Sequence, residues 1–323
     1  MSTGTLRIGT RASHLALWQA NRVADLIRAQ PGAPAVELVH IRTEGDLRTD
    51  IPLWQAGGRA FFTKEIDRAQ LAGQVDVAVH SLKDLASAMT PGLELAAVLE
   101  REDPRDALLL PGPGGLRSLP AGARVGTSSL RRRAFLNRLR PDLQLLELRG
   151  NVPTRVERLL AGHYDAIVLA TAGLTRLGLA AHIAEHLDCE EFPPAVSQGA
   201  IGVCGRAGDA DTARWLRPLD HAATRLAVTA ERALLRRIEG GCQAPLGALA
   251  RLRDGAMQLH SMVCSLDGRT RLDAMDRISL DGDASAQLAQ AAALGVQQAE
   301  RLLAQGAGDI LARQRELTRQ ASP

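Results

Sequence analysis

Apolar positions fall into two rhythms that alternate along the first two hundred residues. The short runs "LRIGT", "VELVHIRT" and "VDVAVHS" read as strands. Between them, "SHLALWQANRVADLIRAQ" spaces Leu15, Trp18, Val23, Leu26 and Ile27 at helical intervals, with Ser13 placed as its N-cap. "FFTKEIDRAQLAG" predicts a second helix, stopped at a glycine. This alternation predicts an α/β unit with a mainly parallel sheet. Residues 100–123, "EREDPRDALLLPGPGGLRSLPAGA", break the rhythm with Pro and Gly and read as a crossing. A second series follows, with strands at "ARVGTSS", "LQLLELRG" and "YDAIVLA" and helices at "LRRRAFLNRLR" and "VPTRVERLLAG". It closes near the Pro-rich "EEFPPAVSQGA", a second crossing, and the strand-like "AIGVCGR" is placed to return to the first unit.

The last hundred residues change style. "HAATRLAVTAERALLRRIEGG" predicts a helix ending at glycine. Three strands follow at "GALARLRD", "MQLHSMVCS" and "RLDAMDRISL", the last two joined by a hairpin turn at "LDGR", and a long helix at about 284–305 closes the chain. The expected division is residues 1–99 with 200–217, residues 105–193, and residues 222–323. The first two are α/β units and the third is α+β with a three-stranded antiparallel sheet.

Composition narrows the class. Apolar residues make up 46% and aromatic residues only 2%, so the cores are expected to be built from Leu, Val, Ile and Ala. No run approaches the roughly 20 apolar residues of a membrane span, and the first residues carry no secretory pattern. Cys189, Cys204, Cys242 and Cys264 are too scattered for a zinc site, so no metal is expected. Reduced thiols and a cytoplasmic location follow as expectations. Net charge is +3, yet of 39 basic residues only Lys64 and Lys83 are lysines, which singles those two out.

Three strands end in polar residues, in "VDVAVHSLKD", "RVGTSSLRR" and "LLELRGNVPTR". Ligands of open parallel sheets bind beyond the carboxyl ends of the strands. Lys83, Asp84, Thr127, Ser128, Ser129, Arg131, Arg132, Arg149 and Arg155 are therefore expected to face one cleft. "GTSSLRR" opens a helix with hydroxyls and free N–H groups, an anion-attracting terminus or an ordinary serine cap. Arginine forks grip carboxylates. Asp84, a carboxylate among cations, suits stabilisation of a cation formed in a reaction. His80 reads as a polar strand residue. The cleft as a whole suits a ligand bearing several carboxylates or phosphates. Nucleic acid fits poorly, because stacking aromatics are nearly absent and 36 acidic residues almost balance the basic ones.

Cys242 stands apart. In "EGGCQAPLG" a glycine pair frees the backbone before it, and Pro245 directs the exit. Such a loop is a poor core position, unlike those expected for the other three cysteines. A thiol near a basic cleft is reactive. With no ordered Cys/His pair beside it, an attachment point fits better than a nucleophile that turns over.

The segments "LRIGTRASHLALWQA", "GGRAFFTKE", "DVAVHSLKD", "EREDPRDA", "GTSSLRRR", "LRGNVPTR", "YDAIVLATAGLTRLG", "PAVSQGAIG" and "TAERALLRRIEGGCQAPLG" together resemble the porphobilinogen deaminase (hydroxymethylbilane synthase) family over nearly the whole length. The resemblance implies two periplasmic-binding-protein-like domains facing a cleft, and a third domain whose cysteine, Cys242 here, holds a dipyrromethane cofactor by a thioether. It implies a transferase of tetrapyrrole and haem biosynthesis. Four porphobilinogen units lose ammonia as they join the tethered primer, and water then releases a linear tetrapyrrole. It assigns Asp84 to catalysis and cofactor binding. Lys83, Thr127, Ser128, Ser129, Arg131 and Arg132 go to the cofactor's acid side chains. Arg11, Ser13, Arg149, Arg155, Arg176 and Gln198 go to substrate or growing chain, with Phe62 near the mouth. It implies a monomer, with room for transient contact with the next enzyme of the pathway. Ala60, Ala86, Ser197 and Cys204 depart from residues frequent in that family. The competing expectation is a binding protein that kept the cleft without catalysis, against which Asp84 and Cys242 both speak.

Overall fold

The computed structural model describes residues 4–47, 63–238 and 244–320. The chain begins with β1 (Leu6–Thr10), α1 (His14–Arg28), β2 (Val36–His40), α2 (Glu44–Leu47), α3 (Lys64–Leu71), β3 (Val77–Ser81) and β4 (Leu93–Val98). It continues through β5 (Asp106–Leu109), β6 (Arg124–Gly126), α4 (Leu130–Leu139), β7 (Gln144–Leu146), α5 (Val152–Leu160), β8 (Ala166–Ala170), α6 (Thr171–Arg176) and β9 (Ile183–His186). Then come β10 (Ile201–Arg206), α7 (Ala210–Leu216), α8 (Ala222–Arg237), β11 (Leu246–Arg253), β12 (Ala256–Cys264), β13 (Arg271–Ser279), α9 (Ala284–Ala304) and α10 (Ala307–Gln320).

Two five-stranded sheets repeat one plan, in the orders β2-β1-β3-β10-β4 and β7-β6-β8-β5-β9. In each, three parallel strands are followed by one antiparallel strand, β10 or β5. These antiparallel strands are the ones the chain enters directly from a crossing. The expected return of "AIGVCGR" to the first sheet is thus seen as β10. The third sheet is antiparallel, in the order β11-β12-β13, and is covered by α8 and α9. Its turn at "LDGR" closes with Ser265 N–H donating to Thr270 O, and Gly268 takes the positive φ of 74°. The α/β class and the α+β C-terminal part match the expectation from the sequence.

Two differences have physical reasons. Residues 100–123 contain β5, a buried strand inside the second sheet between β8 and β9, whose four residues are too few to announce themselves between Pro- and Gly-rich flanks. A second helix, α10, follows the long α9, from which Gly306 at φ 101° separates it. The cores are aliphatic, as the composition requires, with Phe135 against Phe192 a lone aromatic pair among the described residues.

The two crossings run side by side. Leu99 N–H donates to Ile201 O, and Glu102 N–H donates to Gly199 O. At Gly199 (φ +88°) a Cβ would lie 2.3 Å from Glu102 O, so this approach requires glycine. One fully buried carboxylate on α8, Glu231, gathers both crossings. It accepts from Arg101 Nη1 (2.6 Å) and Nη2 (3.2 Å) on the first, from Ser197 N (2.7 Å) on the second, and from Ala250 N (2.9 Å) on β11. Removing such a partner strands a buried charge at a cost of about 3–5 kcal/mol.

Ser197 carries a positive φ of 63°, in the left-handed region, and its buried hydroxyl has no hydrogen-bond partner. Both features disfavour a side chain there. Ser197→Gly is expected to stabilise the chain by about 1 kcal/mol. Calorimetry should show this as a rise in Tm of roughly 2–4 °C; a fall would mean the hydroxyl supports the crossing in a way the backbone angle does not reveal.

Candidate active-site cleft

The carboxyl ends of the parallel strands bring the polar segments together, as sheet geometry dictates. After β1 the chain turns through Arg11 to Ser13, whose hydroxyl caps α1 by accepting from Ala16 N. After β3, a single turn of tight helix, Leu82–Asp84, buries Leu82 and leaves Lys83 half-buried and Asp84 exposed. Arg232 of α8 holds the exit of this turn by donating to Leu85 O and Ala86 O. After β6, Ser129 caps α4 by accepting from Arg132 N, and Asn151 caps α5 by accepting from Thr154 N.

A cavity of about 80 Å3 lies where the two α/β units and the second crossing meet. Ser81 and Lys83 line it from the first unit, Arg132, Arg155 and Arg176 from the second, and Gly199 from the crossing. Four cations thus share one small space. Leu15 and Gly173 also line it, where α1 approaches α6.

Each cation is fixed. Lys83 Nζ donates to Gln198 Oε1 at 3.3 Å. Arg155 Nε donates to Gly150 O at 2.7 Å, and Arg176 Nη2 donates to Gly199 O at 2.6 Å while its guanidinium lies 5.7 Å from the Trp18 ring centroid. Arg132 Nη1 donates to Val168 O at 2.8 Å, and its Nε and Nη2 donate to Asp106 Oδ1 at 3.0 and 2.7 Å. Burial pushes Arg155 down to about 10, with Arg132 and Arg149 adding to it. Burial likewise brings Arg176 down to about 10, against the pull of Glu102.

Other residues singled out in the sequence do not line the cavity. Ser128 Oγ is spoken for, donating to Leu148 O and accepting from Leu148 N, so it ties β6 to the strand-end segment beside it. Thr127 Oγ1 accepts from Ser129 N. Arg131 is buried, with Nη1 donating to Pro193 O, Nη2 2.7 Å from Asp106 Oδ2, and the Phe135 and Phe192 rings flanking it. Gln198 is buried and donates to Pro104 O and Asp106 Oδ1. Arg11, Ser13 and Arg149 are half-buried. His80 is buried in β3, and burial and the Arg11 charge lower it to about 4, in keeping with a neutral strand residue. Cys189, Cys204 and Cys264 are buried, burial pushing Cys204 up to about 12. Cys242, Phe62 and Ala60 lie outside the described residues.

Sequence reasoning missed two carboxylates, Asp106 and Glu231. Asp106 lies inside the quoted "EREDPRDA", and the Pro-rich reading of that stretch hid its strand. Glu231 is one acid on an arginine-rich helix face, with nothing local to mark it as buried.

Lys83 has the most consequential charge. Burial lowers it to about 8, Arg132 and Arg131 add to this, and Asp84 and Asp106 oppose it. It is protonated below that value and neutral above it. Between about 8 and the ordinary 10.5 the unfolded chain holds the extra proton, so this group makes stability rise with pH across that window. With two lysines in the chain, reductive 13C-methylation gives a resolvable Lys83 signal, assigned by its loss in Lys83→Arg. It is expected to titrate with a midpoint near 8. A midpoint at the ordinary lysine value would show that the amine is not desolvated.

The sequence also matches known proteins. The family model described as "Porphobilinogen deaminase, dipyromethane cofactor binding domain" matches residues 6–214, and that of the "Porphobilinogen deaminase, C-terminal domain" matches residues 225–304. A porphobilinogen deaminase of Syntrophotalea carbinolica is 47% identical over 312 residues, covering 97% of this chain and 96% of that protein. One of Roseiflexus castenholzii is 50% identical over 308 residues, covering 95% and 99%. Among solved structures, a TRAP periplasmic solute binding protein of Desulfovibrio salexigens has a TM-score of 0.41 at 12% identity, covering 68% of this chain and 73% of that one. At that similarity it carries no argument, and the fold class rests on the sheets themselves. Two family models that together span both α/β units and the antiparallel part, and relatives near half identity over almost the full length, establish that this chain belongs to the porphobilinogen deaminase family.

Proposed function

We propose that this chain condenses four porphobilinogen units, with release of ammonia, onto a dipyrromethane primer held by a thioether to Cys242, and hydrolyses off the linear tetrapyrrole hydroxymethylbilane. It is a transferase of tetrapyrrole and haem biosynthesis. The observation that carries the reading is the convergence of Lys83, Arg132, Arg155 and Arg176 on one cavity beside the exposed carboxylate of Asp84.

The residues present fit such a group. Burial and mutual repulsion lower Lys83 and Arg155, so a ligand bearing several carboxylates relieves a cost the protein bears alone. When bound, the dipyrromethane supplies a nucleophilic pyrrole carbon and an anchor for the growing chain. The protein's own groups do the rest. Arg132 and Lys83, with Thr127 and Ser129 at the α4 N-terminus, hold acid side chains of the primer, and Arg131 and Ser128 brace that segment from behind. Arg155, Arg176, Arg149, Arg11 and Ser13, with Gln198 and Phe62, take the carboxylates and ring of incoming porphobilinogen. Asp84 assists ammonia loss, stabilises positive charge on the reacting pyrrole and moves its proton.

Three units carry this work, at 1–99 with 200–217, 105–193 and 222–323, in a monomer acting in the cytoplasm. No helix among the described residues is long and apolar enough to cross a membrane. Neither a membrane nor a nucleic acid is expected as partner, and a transient contact with the next enzyme would receive the product.

Intact mass of the purified chain, with a tryptic map around Cys242, tests the reading. The expected result is an excess equal to two linked pyrrole units, absent from Cys242→Ser. A bare mass after incubation with porphobilinogen would sink it.

A further inference from the structure

We infer that Asp106, a carboxylate lying behind the cavity and outside its lining, is the positioning residue that sets the geometry of the cationic wall. The inference rests on the functional reading above. Asp106 is the first residue of β5 and is fully buried. A buried carboxylate is costly unless its partners are charged and well placed. Here burial alone would push the carboxyl up, but Arg131 and Arg132 outweigh it and hold it at about 2. The group is a fixed anion and has no proton to exchange near neutral pH.

Its two oxygens divide the work. Oδ1 accepts from Arg132 Nε and Nη2 and from Gln198 Nε2, while Oδ2 faces Arg131 Nη2. Arg132 has its remaining Nη1 on Val168 O, so the plane of its guanidinium is set on both edges as it enters the cavity. The second consequence runs through Gln198. Both partners of its Nε2, Asp106 Oδ1 and Pro104 O, are acceptors. The amide is thereby forced to present Oε1 to Lys83 Nζ. Asp106 thus orients the lysine adjacent to Asp84 through one intervening side chain. Neither group touches the other, yet β5, the second crossing and the β3 turn are tied into one arrangement.

The roles separate experimentally. Asp106→Asn removes the anion at constant shape and gives the site an amide that cannot accept from every donor around it. Asp106→Glu keeps the anion and displaces it by one methylene. Each variant is prepared as the full chain beside wild type. Primer occupancy is read by intact mass, Tm by calorimetry, and kcat and KM for porphobilinogen per primed chain. Both variants are expected to lose primer occupancy and to drop kcat about 100-fold, the scale of a misplaced catalytic wall, with KM little changed. A merely structural role would lower Tm and leave kcat per primed chain intact. That result, or Asp106→Glu with wild-type kcat, overturns the inference. Should neither variant fold, Gln198→Met, which gives up the bonds to Lys83 and to Pro104 O, is read by the 13C-methyl titration of Lys83 rather than by kcat, a midpoint moved from that of the wild type supporting the inference and an unchanged midpoint overturning it. Wild-type chain that shows neither primer nor product would sink the functional reading, and this inference with it; active wild type beside active variants sinks the inference alone.

Discussion

Mutual repulsion of cations in a space of low polarity is the constraint around which this molecule is arranged. Two like charges 4 Å apart repel by about 4 kcal/mol at the effective dielectric of a partly buried site. Lys83, Arg132, Arg155 and Arg176 line one cavity, with Arg131 behind them. An unconstrained set of long side chains would swing into solvent. These do not, because each is tied to a carbonyl, an amide or the single carboxylate of Asp106. Burial lowers the basicity of Lys83, Arg155 and Arg176, and neighbouring arginines add to it at Lys83 and Arg155. A site that keeps such repulsion in place is preorganised for a ligand rich in carboxylates, since the reorganisation is complete before the ligand arrives.

The same device recurs in the architecture. Glu231 does for the crossings what Asp106 does for the cleft wall: one buried anion collects donors from segments far apart in sequence. Because α8 contributes Glu231 and also Arg232, which grips the carbonyls just after Asp84, the antiparallel part of the chain is coupled directly to the turn that carries Asp84. The sequence expectation that the loop following α8 bears the attachment cysteine gains a physical rationale from this. The helix that leads to Cys242 is braced against the segments that shape the cleft. The tight pairing of the crossings at Gly199 and the strained Ser197 lie on the same brace.

Much of this was legible in the residues alone, and the division between legible and illegible has a cause. Strands such as "VDVAVHS" and helices such as the one capped by Ser13 carry their own periodicity and caps, so local pattern suffices. The polar strand ends were legible because α/β topology sends them to one place. β5 was not, because four apolar residues between Pro-rich flanks look like a loop until a neighbouring sheet claims them. Asp106 and Glu231 were missed for the related reason that an acid becomes a buried hub only through partners distant in sequence. Arg131 and Ser128, singled out as ligand-holding groups, also make bonds within the protein, as Arg132 does.

The two carboxylates of the site illustrate how environment apportions duties. Asp106 is buried, charge-paired on both oxygens and held at about 2. It can orient neighbours and can neither give nor take a proton in the working range. Asp84 is exposed at the turn after β3, with no hydrogen-bond partner among the described residues. Lys83, adjacent in sequence, is fixed through Gln198 by the buried anion. Pairs of acids whose surroundings differ this sharply take different roles. On the proposed reading, the anchored one sets where charge sits and the accessible one meets the charge that a reacting pyrrole develops. Exchanging their surroundings would exchange their duties, since the side chains themselves are chemically the same.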